Sequence, residues 1–339
     1  MKVYIGNLPA SVTEAGVRRA CRRHGTVASV HVARDPGTRR HRGFALVEMP
    51  DDAEAKAAME GLNAEGIAGS AVTANEAPED VSLLESPTFL SFLTFMGDRP
   101  FTPTLEFFSL VAELAASGHL WVTTLDDGAA ACVYRHPRLA PWIKGSRFLT
   151  MGPLEAALDW NLAMLGAARV LAVEGHRPNY LKCRALKAAF PSLPIDFVEA
   201  DVSQLQVEPD FDVVICCGVL YHLHEPQILL QKIRASKPRR AFLATQAAVD
   251  PPHPAFARYG LGDVAYVLAK GRAYRGRWYP DVRPGPRDYH AGLDGRLSFW
   301  FYPEELRRLI EDAGLEVEEF VVKDEGEAGL LVDALLSVP

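Results

Sequence analysis

Phe211-Asp212-Val213-Val214-Ile215-Cys216-Cys217-Gly218-Val219-Leu220-Tyr221-His222 is the stretch on which the larger part of the chain turns. Its unbroken apolar run, Val213 to Cys216, has the composition of a strand buried on both faces. A glycine follows at once, and then a short aromatic and polar turn. Working outward, similar short runs recur at Arg147–Met151, Arg169–Val173, Ile195–Glu199 and Arg240–Thr245. Helical spacing fills the intervals at Leu154–Leu165, Arg177–Phe190 and Gln227–Ala235. Alternating strands and helices predict a doubly wound, mostly parallel sheet. Such sheets bind ligands at the carboxyl ends of their strands. Gly152, Glu174, Asp201 and the Cys217-Gly218 pair fall at those ends. Glycine at a strand-to-helix turn admits close backbone approach, and a strand-end acid can accept both hydroxyls of a ribose. Asp201 is placed to accept from an adenine amino group. Together these groups suit an adenosine carrying an amino acid.

The first 77 residues alternate differently. Strand signals at Lys2–Leu8, Val27–Ala33, Gly43–Met49 and Ala71–Asn75 enclose two helices, one opened by a capping-box pattern at Ser11-Val12-Thr13-Glu14 and one over Asp51–Leu62. The order is β-α-β-β-α-β. Residues 1–50 hold nine basic against three acidic side chains, and residues 51–85 one against nine, inside a chain of net charge −7. That asymmetry points to a local site for a polyanion.

Val3-Tyr4-Ile5-Gly6-Asn7-Leu8 and Arg42-Gly43-Phe44-Ala45-Leu46-Val47-Glu48-Met49 resemble the two signature strands of the RNA recognition motif. The resemblance implies a ferredoxin-like domain over residues 1–77, with Tyr4, Arg42, Phe44 and Leu46 facing RNA. Leu46 stands where the family usually has a second aromatic ring. The bland alternative is a domain of the same shape used for protein contacts, with Tyr4 and Phe44 covered.

From Lys144 onward the chain resembles the class I S-adenosylmethionine-dependent methyltransferases, and most of all the branch of tRNA wobble-uridine carboxymethyltransferase-like enzymes. Gly218-Val219-Leu220-Tyr221-His222, Phe211-Asp212-Val213-Val214, Trp300–Leu306 and Ala313-Gly314-Leu315 carry the likeness. It implies a Rossmann-like domain over residues 145–339 with S-adenosylmethionine as cofactor. Gly152 and Glu155 would belong to the first cofactor loop, Glu174 would hold the ribose and Asp201 the adenine. Cys217, Gly218 and Tyr221 would flank the methionyl end or the acceptor. Tyr221 and His222 are the catalytic candidates, since imidazole titrates near neutral pH. The first loop, Thr150-Met151-Gly152-Pro153-Leu154-Glu155-Ala156, departs from the family's acid and later glycine. The departure implies weakened or lost cofactor binding.

Residues 78–144 read as an acidic linker followed by a phenylalanine-rich segment with one helix over Thr104–Ser117. Its apolar face is expected to pack on the following domain or on a second copy. Residues 258–287 carry seven basic against two acidic side chains with rings interleaved, which suits either an acceptor polyanion or a solvated loop. The five cysteines lack metal-like spacing, no apolar run reaches bilayer length, and no metal site is expected. These features predict a cytoplasmic, RNA-associated methyltransferase, with homo-oligomers open and tRNA among the candidate RNAs. Two rivals stay open: an RNA-binding adaptor with an inactive methyltransferase-like domain, and a small-molecule or protein methyltransferase whose first domain binds protein.

Overall fold

The computed structural model describes residues 1–35, 37–97, 99–126, 136–205, 210–280 and 297–339. The chain divides into two compact units, residues 1–122 with 184–192, and residues 123–183 with 193–339.

In the first unit, β1 (Lys2–Gly6), β2 (Ser29–Arg34), β3 (His41–Glu48) and β4 (Thr73–Glu76) form an antiparallel sheet in the order β2-β3-β1-β4. Helices α1 (Glu14–Cys21) and α2 (Asp52–Glu65) cover one face, burying Val17, Ala20, Cys21, Ala55, Ala58 and Leu62 against Val3, Ile5, Ala45 and Val47. The alternation of the strands sends Val3 and Ile5 to that core and Tyr4 to the other face. The cap of α1 is Thr13, which accepts from Gly16 N–H, and not Ser11 as the capping-box pattern predicts. Two further helices follow, α3 (Pro87–Met96), which the sequence reading missed, and α4 (Leu105–Ala116). Both have capping hydroxyls, Ser86 and Thr104, accepting from Phe89 and Phe107 N–H. The phenylalanine-rich stretch, expected to pack on the following domain or on a second copy, packs its rings on the preceding domain and also bonds to the helix ending at Ala189, where Thr104 Oγ1 donates to Ala188 O at 3.3 Å.

In the second unit, a seven-stranded sheet runs in the order β13-β14-β9-β8-β5-β6-β7. Its parallel part is β5 (Arg147–Met151), β6 (Arg169–Glu174), β7 (Ile195–Glu199), β8 (Val213–Cys217) and β9 (Arg240–Ala247). The last strands, β13 (Glu316–Asp324) and β14 (Leu330–Ser337), close it with antiparallel pairs. Helices α5 (Ala157–Met164), α6 (Arg177–Ala189), α7 (Pro226–Ala235) and α9 (Pro303–Asp312) alternate with strands, as the doubly wound reading requires; α8 (Pro254–Tyr259) is a short addition.

A small sheet in the order β10-β11-β12, from Val264–Ala269, Arg272–Tyr279 and Ser298–Phe301, was not foreseen. It absorbs the basic, aromatic stretch. Arg272 pairs with Asp312 at 2.8 Å, Arg275 with Glu304 at 3.1 Å and Arg258 with Glu327 at 3.4 Å, while Arg277 is buried against Asp250 and Tyr302. Tyr274 and Tyr279 are core residues. The expected polyanion surface is therefore largely neutralised and two of its rings are buried, while Tyr266 stays 62% exposed; Arg283 and Arg287 lie outside the described residues. No helix among the described residues is long and apolar enough to cross a membrane.

Candidate functional site

Two places carry the sequence-predicted side chains. On the first sheet, Tyr4 and Phe44 do stand side by side, with ring centroids 5.4 Å apart and planes 22° from parallel. That is the platform the signature strands imply. It is covered. Phe108 of α4 meets Tyr4 edge-on at 5.6 Å, and Phe89 of α3 meets Phe44 at 5.8 Å. Tyr4 is 1% exposed and Phe44 4%. Burial raises the Tyr4 phenol well above its ordinary pKa. Asn7 and Thr73 tie the covering segment down: Asn7 Nδ2 and Thr73 Oγ1 donate to Phe101 O at 3.3 and 3.1 Å, and Phe101 N–H donates back to Asn7 Oδ1 at 3.3 Å. Tyr4 and Phe44 are thus corrected from stacking surfaces for bases to core residues. Leu46 is half-buried, and Arg42 is half-buried with Nη2 3.4 Å from Asp35 Oδ2.

Magnitudes decide whether this cover opens for RNA. Exposing Tyr4, Phe44, Phe89 and Phe108 together costs roughly 6–12 kcal/mol, at about 1.5–3 kcal/mol per ring. Stacking bases on the two platform rings returns about 2–6 kcal/mol. The cover stays.

The second place is the carboxyl edge of β8, β5, β6 and β7, adjacent strands in that order. The chain changes direction between β5 and its neighbours, which makes this edge the switch-point crevice. Gly152 and Gly218 end β5 and β8 with φ of +67° and +75°. A Cβ on Gly152 would collide with Val219 Cγ2, so glycine is required there by the facing turn as well as by its own backbone. Beyond it, Leu154 and Ala156 hold φ of +58° and +63°. The loop thus keeps left-handed residues at 152, 154 and 156 with only the first a glycine. Each of the other two costs about 1–2 kcal/mol.

Glu174, at the end of β6, is 6% exposed. Its Oε2 accepts from Leu154 N–H at 3.1 Å and its Oε1 from His176 N–H at 2.8 Å. Burial raises its pKa to about 7 despite those bonds. The proton is therefore held more tightly in the folded state than in the unfolded chain, whose value is 4.5. This contribution to stability is full below pH 4.5 and is lost as pH rises through about 7, a change of roughly 3 kcal/mol. From pH 4.5 to 7.5 wild type should lose roughly 3 kcal/mol of stability relative to Glu174→Gln in thermal melts; parallel curves would refute the buried, titrating carboxylate.

Asp201, half-buried after β7, accepts from Ser203 N–H at 2.7 Å and from Gln204 Nε2 at 3.1 Å. Cys217 and Gly218 are half-buried at the end of β8. Tyr221 and His222 form the next turn, their rings 4.1 Å apart, and Trp300 Nε1 donates to Tyr221 O at 2.8 Å.

The Glu155 side chain is held inside the fold. It is 1% exposed, its Oε1 lies 2.7 Å from Lys182 Nζ, and its Oε2 accepts from Thr123 N–H at 2.8 Å and Thr123 Oγ1 at 2.5 Å. Its carboxylate is engaged by contacts within the fold. Sequence reasoning missed Lys182, Val219 and Asp159. Asp159, fully buried on α5, accepts from the Thr150 hydroxyl. A lysine in an amphipathic helix reads as solvent-facing, and no spacing signal marks these three as partners of the loop.

Comparison with known proteins adds the family. An RNA recognition motif model matches residues 3–73. RbpF of Nostoc sp. is 40% identical over 77 residues, which cover 23% of this chain and 73% of that protein. The chain belongs to the RNA recognition motif family. The RNA-binding protein CP31B, chloroplastic, of Arabidopsis thaliana is 35% identical over 78 residues, and there the match spans only 27% of the relative. A methyltransferase domain model matches residues 150–239, so the chain joins an RNA recognition motif to a methyltransferase domain. Among solved structures, the N-terminal domain of EvdMO1 with SAH bound aligns at a TM-score of 0.46 and 23% identity, over 62% of this chain and 80% of that one. The Rossmann-like assignment of the second unit stands on its strand order and on the family model.

The residues present fit an S-adenosylmethionine molecule. The loop keeps the arched backbone that approaches such a ligand closely, and Glu174 retains lone pairs for a diol beyond its two amide bonds.

Proposed function

We propose that this chain is an S-adenosylmethionine-dependent methyltransferase acting on RNA, with RNA held by the first unit through groups other than the covered rings. One observation carries the cofactor reading: a loop without glycine at 154 and 156 still holds Leu154 and Ala156 in the left-handed region. Such strain persists where the surroundings impose it, and it concentrates at ligand clamps. A degenerate loop with no ligand to serve would relax.

When bound, the cofactor supplies an electrophilic methyl group on a sulfonium. Glu174 would accept from the ribose hydroxyls and Asp201 from the adenine end. Tyr221 and His222, on the turn after Gly218, would orient an acceptor and take its proton. Displacement at a methyl carbon gains most of its rate from positioning, so a rigid strand-end turn suffices.

The RNA reading rests on family membership and on relatives named as RNA-binding or ribonucleoproteins, such as CP31B and the 28 kDa ribonucleoprotein, chloroplastic, of Spinacia oleracea. Arg19, Arg22, Arg39 and Arg40 are exposed and available to phosphates. The covered platform favours one second reading, in which the first unit is a structural module and the acceptor is not RNA.

Calorimetric titration with S-adenosylhomocysteine tests the cofactor. Wild type should bind, and Glu174→Ala should bind about 1–3 kcal/mol more weakly, the cost of a diol left unpaired. No heat with wild type would leave only the adaptor reading. Crosslinking to RNA, with Arg39→Glu/Arg40→Glu as the control, decides between RNA and other acceptors.

A further inference from the structure

The crevice has a charge imbalance that the proposed function does not explain. Around the first loop lie three buried carboxylates, Glu155, Asp159 and Glu174, and Lys182 is committed to the first of them. Asp159 is 0% exposed. One of its oxygens accepts from Thr150 Oγ1, and the other, Oδ2, has no partner among the described residues. A buried carboxylate oxygen left bare is costly and calls for a donor.

Its place in the chain narrows the donor. Thr150 precedes the loop on β5 and Asp159 follows it on α5, so their hydrogen bond bridges the two ends of the 152–156 arch. The methyltransferase resemblance implies an acid where Thr150 stands, and Asp159 reaches Thr150 with a carboxylate from the helix. Asp159 also interacts electrostatically with Glu174, which places the two acids in one neighbourhood. Burial raises the Asp159 pKa to about 6.

We infer that Asp159 is the acceptor for the positively charged amino group at the methionyl end of the cofactor, supplying from α5 the carboxylate that Thr150 cannot. This rests on the reading of the crevice as an S-adenosylmethionine site. Asp159 would act in binding and orientation, with Thr150 fixing its rotamer; no proton transfer is asked of it.

The test compares two ligands that share the nucleoside half, S-adenosylhomocysteine, which has the amino group, and 5′-methylthioadenosine, which lacks it, by calorimetry. Asp159→Asn should weaken S-adenosylhomocysteine at least tenfold and leave methylthioadenosine within twofold. Thr150→Val should shift the same ligand in the same direction by less. Equal losses for both ligands, or no loss for either, overturn the assignment. If Asp159→Asn does not fold, wild type alone answers: the desamino analogue of S-adenosylhomocysteine should bind at least tenfold more weakly than the parent, and equal binding overturns the proposal. Should wild type bind neither ligand, the cofactor reading itself fails, an outcome distinct from binding without discrimination.

Discussion

Tyr4→Ala and Phe44→Ala are each expected to cost about 3–5 kcal/mol of stability, the range for truncating a buried aromatic ring. Both rings lie between the β-sheet and the chain's own helices, so each truncation leaves a cavity bounded by Phe89 and Phe108. Chemical denaturation of the variants, followed by Trp121 fluorescence, reads the effect, because Trp121 packs on Phe92 at 5.1 Å in the same aromatic layer. RNA crosslinking should fall only in proportion to the unfolded fraction. Were the platform open to RNA in solution, the same substitutions would cost little stability and would weaken RNA binding in the folded protein. The substitutions Phe89→Ala and Phe108→Ala sharpen the contrast: on the present structure they destabilise without raising RNA affinity, since uncovering two platform rings is not repaid by the bases they would gain.

This covered face marks the limit of what the sequence could disclose. The period-2 alternation of Val3, Tyr4 and Ile5 sends Tyr4 to the face opposite the α1–α2 core, and the structure agrees. What lies on that opposite face depends on contacts more than eighty residues distant, between Tyr4 and Phe108 or Asn7 and Phe101, which no local pattern encodes. In the second unit the strands from Arg147 to Cys217 were legible because parallel strands are continuous apolar runs, and the strand-end positions of Gly152, Glu174 and Asp201 followed from them. The roles of the acids did not follow. Glu155 and Asp159 both sit near the loop, and only tertiary geometry shows one taken by Lys182 and the other holding Thr150. The sheet from Val264 to Phe301 was hidden because its alternation is masked by arginines that find acids elsewhere in the chain, such as Arg272 on Asp312.

Lys182→Met should destabilise the second unit by about 3–5 kcal/mol, because it strands the Glu155 carboxylate in an environment where both partners are 1% exposed. The sign of the second substitution separates pair from packing. Adding Glu155→Gln to Lys182→Met removes the stranded charge while its amide oxygen still accepts from Thr123, so the double variant should recover most of the loss, ending within about 1–2 kcal/mol of wild type. Additive losses in the double variant would instead assign the effect to the volume of the lysine stem. Since Glu155 spends its oxygens on Lys182 and Thr123, the double variant should also bind S-adenosylhomocysteine within a few-fold of wild type, whereas Glu174→Ala should not. A large affinity loss in the double variant, with stability recovered, would return Glu155 to the cofactor and would mean that the ion pair opens when the ligand arrives.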